Sequence, residues 1–96
     1  MRLMLKFTIP VAKGNAAAAQ GTIDKAIEAL VAQVKPEAAY FFLENGKRAG
    51  LVVFEATDQT QMPAINEPLF AALDAAIEIQ PVMNLEDLER GLHVSA

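Results

Sequence analysis

Asn45-Gly46 stands between two runs of strand-forming residues, 38–44 and 47–56, and restricts the fold more than any other feature of the chain. Asn followed by Gly supplies the two positive φ angles of a type I′ turn, whose twist matches that of paired strands. A two-residue loop also fixes register: Glu44 opposite Lys47, Phe42 opposite Ala49, Tyr40 opposite Leu51. An antiparallel hairpin is therefore expected near the middle of the chain, with Phe41, Leu43, Val52 and Phe54 on one face.

The flanking segments read around that hairpin. Residues 2–9 alternate, with Leu3, Leu5, Phe7 and Ile9 on one side and Arg2, Met4, Lys6 and Thr8 on the other; this is strand periodicity, ended by Pro10. Asn15 stands as an N-cap before four alanines, and Ile23, Ile27, Leu30, Val31 and Val34 recur at helical spacing, which predicts one amphipathic helix over 15–35. Gly21 within it costs about 1 kcal/mol relative to Ala and marks a close contact or a kink, and Lys35-Pro36 stops the helix. Thr57-Asp58 caps a further helical stretch. Because proline breaks a helix interior, Pro63 and Pro68 divide it into a short turn near 59–66 and a helix from Glu67-Pro68 that turns Leu69, Phe70 and Leu73 inward. Residues 77–83 alternate again, and Pro81 suits an edge strand or a bulge. Asn84 with Asp87 three residues later caps a final helix over 85–92, followed by a short tail.

The order βαββαβ with right-handed crossovers is the split βαβ, ferredoxin-like arrangement, an α+β fold: one four-stranded antiparallel sheet with two main helices on one face, in one domain over 1–96. Leu3, Leu5, Phe7, Ile9, Phe41, Leu43, Val52, Phe54, Ile77 and Ile79 meet the helices; Met4, Lys6, Thr8, Tyr40, Phe42, Leu51, Val53, Glu78 and Gln80 take the other face. A chain of 96 residues that is 53% hydrophobic has too little interior to hide all of this. The patch of Tyr40, Phe42, Leu51 and Val53 is large for a monomer surface, and packing two sheets face to face in a homodimer covers it.

Composition excludes several functions. Eight basic against twelve acidic residues give a net charge of −4 with no basic stripe, which disfavours nucleic acid. The absence of cysteine removes disulfides, thiolate metal sites and thiol nucleophiles. Lys6 interrupts the apolar start before it reaches the length of a signal core, and no apolar run approaches a membrane span, so the expected place is the cytoplasm.

The segments 4–10, 35–41, 45–48 and 77–83 together resemble short uncharacterised bacterial proteins and, more broadly, the dimeric α/β-barrel superfamily, in which two ferredoxin-like sheets form a barrel. The resemblance runs over essentially the whole chain. It implies a small-molecule-binding protein or a cofactor-independent enzyme, with a cavity between sheet and helices that has Tyr40, Lys6 or Thr8 at its polar end. Haem branches of that superfamily use a ligating histidine in a longer chain; the only histidine here is His93, near the end of the sequence.

Lys6, Thr8, Tyr40, Glu78 and Gln80 are the ligand-binding candidates, since they share a face with Glu44 and combine charge, hydroxyl and an aromatic ring. The plainer account is that they pair with one another across a half-buried sheet. His93 alone titrates near neutrality. Glu44, Lys47 and Arg48 flank the turn as a solvated group, and Met4, Met62 and Met83 with Phe7, Phe42, Phe54 and Phe70 form either an adaptable pocket or core filling. Glu86, Asp87 and Glu89 suit a helix N-terminus. Lys13-Gly14-Asn15 before a helix could offer N–H groups to an anion, but matches no phosphate-loop fingerprint. The only serine, Ser95, offers no triad, and no metal site or cofactor is expected. Two readings stand: a homodimer that binds or transforms a small molecule, and a non-enzymatic assembly or regulatory module.

Overall fold

A computed structural model describes residues 1–94; Ser95 lies outside the described residues. The elements run β1 Arg2–Ile9, α1 Val11–Gln20, α2 Thr22–Val34, β2 Ala38–Glu44, β3 Lys47–Glu55, a 3₁₀ turn Gln59–Gln61, α3 Met62–Leu73, β4 Ala76–Pro81 and α4 Leu85–Val94. The sheet order is β2-β3-β1-β4, with every neighbouring pair antiparallel. This is the ferredoxin-like arrangement read from the sequence. Each β-α-β half leaves one strand's space between its parallel partners, and the other half fills it.

The hairpin has its predicted register. Glu44 faces Lys47, and Asn45 and Gly46 take φ of 51° and 76°. Leu3, Leu5, Phe7 and Ile9 are buried against Val52 and Phe54 and against Leu30, Ile65, Leu69 and Leu73 from the helices. Burying each such side chain contributes about 1.5–3 kcal/mol, so this layer is the main source of stability. Phe7 lies opposite Gly50, which lies opposite Phe41.

Three expectations about the helices are corrected. The single helix over 15–35 is two. It starts at Val11, directly after Pro10, so Asn15 is not its cap, and Gly14 N–H already reaches the Pro10 carbonyl at 2.8 Å. Gly21 then breaks it with φ of 73°, serving as C-cap of α1 and N-cap of α2. No atom lies within 4 Å of where a Cβ would sit, so the backbone angle is what calls for glycine there.

Pro68, expected to begin a helix, lies inside α3. It removes one hydrogen bond, but Ile65, Leu69 and Leu73 form a continuous buried row on either side of it, and that packing holds the helix together. Gln59–Gln61 is a 3₁₀ turn capped by Asp58, whose carboxylate accepts from Thr60 N–H at 2.9 Å. The fourth strand ends at Pro81 on the sheet edge, and α4 carries the expected cap: Asp87 N–H donates to Asn84 Oδ1 at 2.7 Å.

The helix layer is narrower than the sheet. On β2, at the edge, Phe41 and Leu43 point to the helix side yet remain 55% and 75% exposed.

Candidate functional site

Antiparallel register turns the open face into a grid. Tyr40 on β2, Leu51 on β3, Lys6 on β1 and Glu78 on β4 are successive cross-strand partners and form one row across the sheet. The next row toward the hairpin is Phe42, Ala49, Thr8 and Ala76; the row on the other side is Ala38, Val53, Met4 and Gln80. All five candidates are thus on one face, with Tyr40, Lys6 and Glu78 in a single row and Thr8 and Gln80 one row to either side.

Lys6 is the centre of that grid. Its ammonium donates to Glu44 Oε1 at 2.8 Å and lies 3.7 Å from Glu78 Oε2. Glu44 was expected to meet Lys47, its partner across the turn. The backbone pairing is as predicted, but the carboxylate reaches back along the face to Lys6, and Lys47 makes no salt bridge among the described residues. The hydrogen bond to Glu44, reinforced by the charges of Glu44 and Glu78, raises the Lys6 pKa above its ordinary value. Lys6 is therefore a fixed cation at neutral pH rather than an amine nucleophile. One ammonium between two carboxylates leaves the cluster one unit negative.

Tyr40, Lys6 and Thr8 were expected at the polar end of a cavity between sheet and helices; the register instead puts them on the face turned away from the helices. Two recesses on the helix side are lined mainly by apolar side chains. One of about 270 Å³ lies between α2 and α3, lined by Ala26, Leu30, Ile65 and Leu69. Another of about 220 Å³ lies between α2 and β2, lined by Ile23, Ile27, Phe41 and Leu43 with Arg48 at its rim.

The other candidates scatter. Phe7 and Phe54 are core, Met62 packs at its margin, and Met4 and Phe42 lie on the open face, while Met83 and Phe70 are exposed; they form no common pocket. Gly14 is inside the first turn of α1 with its N–H already bonded, so Lys13-Gly14-Asn15 offers no anion cradle; Asn15 instead accepts from Arg48 Nη1 at 3.0 Å. His93 is exposed on α4. Among the described residues no group of three His, Cys, Asp or Glu could hold a metal ion, and no helix is long and apolar enough to cross a membrane.

One cluster escaped the sequence reading. Arg2 donates to Glu37 at 2.6 Å and to Asp87, and Asp87 also accepts from Arg90 at 2.6 Å. These ion pairs tie the start of β1 to the approach to β2 and to α4. Arg2 looked like the polar half of a strand alternation, and nothing local pointed to partners 35 and 85 residues away.

The chain belongs to the DUF3303 family, a domain of unknown function, which matches residues 1–93. No curated protein matches it. Among solved structures it is similar to the de novo designed protein Ferredog-Diesel, at 11% identity and a TM-score of 0.42, over 83% of this chain and 82% of that one.

Proposed function

We propose that this DUF3303 member works as a homodimer whose open sheet faces meet and enclose a small molecule, in the manner of the dimeric α/β barrels its sequence resembles. The observation that carries the reading is the row Tyr40–Leu51–Lys6–Glu78: charged and aromatic groups set in register between two rows that are mostly apolar. Facing a second sheet, the apolar positions exclude water and the polar row becomes the part that recognises a ligand. The net negative charge of the Lys6, Glu44 and Glu78 cluster disfavours anions. It suits an uncharged or cationic molecule that donates hydrogen bonds to Glu78 and stacks on Tyr40. If a reaction takes place there, Glu78 is the group available as base and Lys6 the fixed charge beside it.

Native mass spectrometry of freshly purified, undialysed protein tests this. A dimer carrying a small adduct is expected, with the adduct lost and the dimer kept in Lys6→Ala or Tyr40→Phe. A clean monomer overturns the reading, as does an adduct unaffected by both substitutions.

The second reading, an assembly module without a ligand, draws on a different observation: Leu85 and Leu92 on α4 are 70% and 67% exposed, more than a binding site on the sheet requires. A stable dimer that carries no adduct and takes up nothing in a fragment screen favours it.

A further inference from the structure

We infer that α4 is an exchanged arm: it docks on a second copy of the chain, with Leu85, Leu88 and Leu92 in the recess between that copy's α2 and β2. The inference rests on the two-copy reading above and names the segment that joins the copies.

The two surfaces are separate observations on one chain. Leu85, Leu88 and Leu92 lie at i, i+3 and i+7, a single stripe of α4, and even Leu88, the least exposed, is 41% open. The recess exposes Phe41 and Leu43 beside Ile23 and Ile27, where the helix layer stops short of the edge strand. The radius of gyration is 15.1 Å, whereas a compact chain of this length has about 12.5 Å. The chain is thus more extended than a compact body of its length.

The arm does not sit in its own recess, whose lining contains no residue of α4. It follows β4, at the sheet edge opposite β2. Three strand spacings of nearly 5 Å separate those edges, about 14 Å. The Arg2–Asp87 pair ties α4 to the start of β1, whereas the recess lies at the other end of that strand, beside Ile9. A second copy has no such restriction. A barrel closed through unlike edges, β4 of one copy beside β2 of the other, sets each arm next to its partner's recess, and the two-fold makes the exchange reciprocal.

Charge agrees with this pairing. Glu89 flanks the leucine stripe and makes no salt bridge among the described residues. Arg48 lines the recess with Asn15 as its hydrogen-bond partner and, among the described residues, no carboxylate. Docking places opposite charges at the edge of an apolar contact, where they fix orientation.

The chain contains no cysteine, so single thiols can be placed at will. Leu43→Cys and Leu92→Cys, both at exposed positions, are mixed in equal amounts and oxidised mildly. A disulfide joining the two variants is expected, and it is absent when either variant is oxidised alone. Leu92→Glu, with helix content unchanged by circular dichroism, raises the dimer dissociation constant about tenfold or more. A dimer that persists in native mass spectrometry while the mixed variants form no disulfide overturns the arm exchange and leaves the two-copy reading standing. A monomer throughout overturns both. In the double variant carrying both substitutions, a closed, doubly linked dimer is expected, and a ladder of larger linked species overturns the reciprocal pair.

Discussion

Gly50 lies directly against the ring of Phe7. A Cβ on Gly50 would come within 2.6 Å of Phe7 Cζ and 2.9 Å of Phe41 Cδ1. The glycine does not serve a turn here; it makes room for an aromatic ring from the neighbouring strand. Gly50→Ala is expected to destabilise the fold by about 1–3 kcal/mol, the range for overpacking a well-filled core. Phe7→Leu in the same chain should recover part of that loss, as a double-mutant cycle in urea would show.

Gly21 needs its positive φ rather than space. Gly21→Ala should cost about 1–2 kcal/mol through left-handed strain alone. Gly21→Asn should cost less, because asparagine tolerates that region. Thermal unfolding of the three proteins, with stability falling in the order Gly, Asn, Ala, checks it.

Pro68 acts in the opposite direction. Its ring withholds one hydrogen bond from α3 and is exposed on the helix surface. Pro68→Ala restores the bond and should stabilise the protein by about 1–3 kcal/mol, after allowing for the stiffness proline gives the unfolded chain. A fall in the denaturant midpoint would show that the packing of α3 depends on the proline.

Lys6 sets an alkaline dependence. Its pKa in the folded state lies above the ordinary 10.5 because Glu44 accepts a hydrogen bond from its ammonium. The stability it contributes is complete below the unfolded value and fades as pH rises through the higher folded one. Wild type should therefore lose more stability between neutral and strongly alkaline solution than Lys6→Met, measured as urea midpoints across that range.

Asp58 does the reverse at the acid end. Thr60 N–H donates to its carboxylate and lowers its pKa below the ordinary 3.8. Its contribution is present above that value and is lost as pH falls through the folded one. Asp58→Asn should flatten the acid limb of the stability curve relative to wild type.

The strand pattern was legible because it is local or nearly so. Alternation in β1 and the Asn45-Gly46 turn determine faces and register within a few residues, and the row Tyr40–Leu51–Lys6–Glu78 follows once the strands are ordered. What could not be read depended on distant partners. Glu44 abandons its cross-turn neighbour for a lysine 38 residues earlier. Arg2 finds Asp87 across almost the whole chain. Pro68 is tolerated because of the buried row around it, and Gly21 looked compatible with a helix that its φ in fact ends. The candidate residues share one face, as their alternation implied, but an open sheet in a single copy has no walls, and the enclosure of a site there belongs to the proposed pairing of two copies.

The sheet order has one further consequence, for synthesis. The first strand made is a middle strand: β1 precedes both of its neighbours, which end at Glu55 and Pro81. As the chain leaves the ribosome, Leu3, Leu5, Phe7 and Ile9 have no sheet partner until β3 has emerged, and β1 remains an open edge until β4 follows. Completion of the sheet is thereby deferred until β4 has emerged, and through that interval the buried face of β1 depends on its own solubility or on a chaperone.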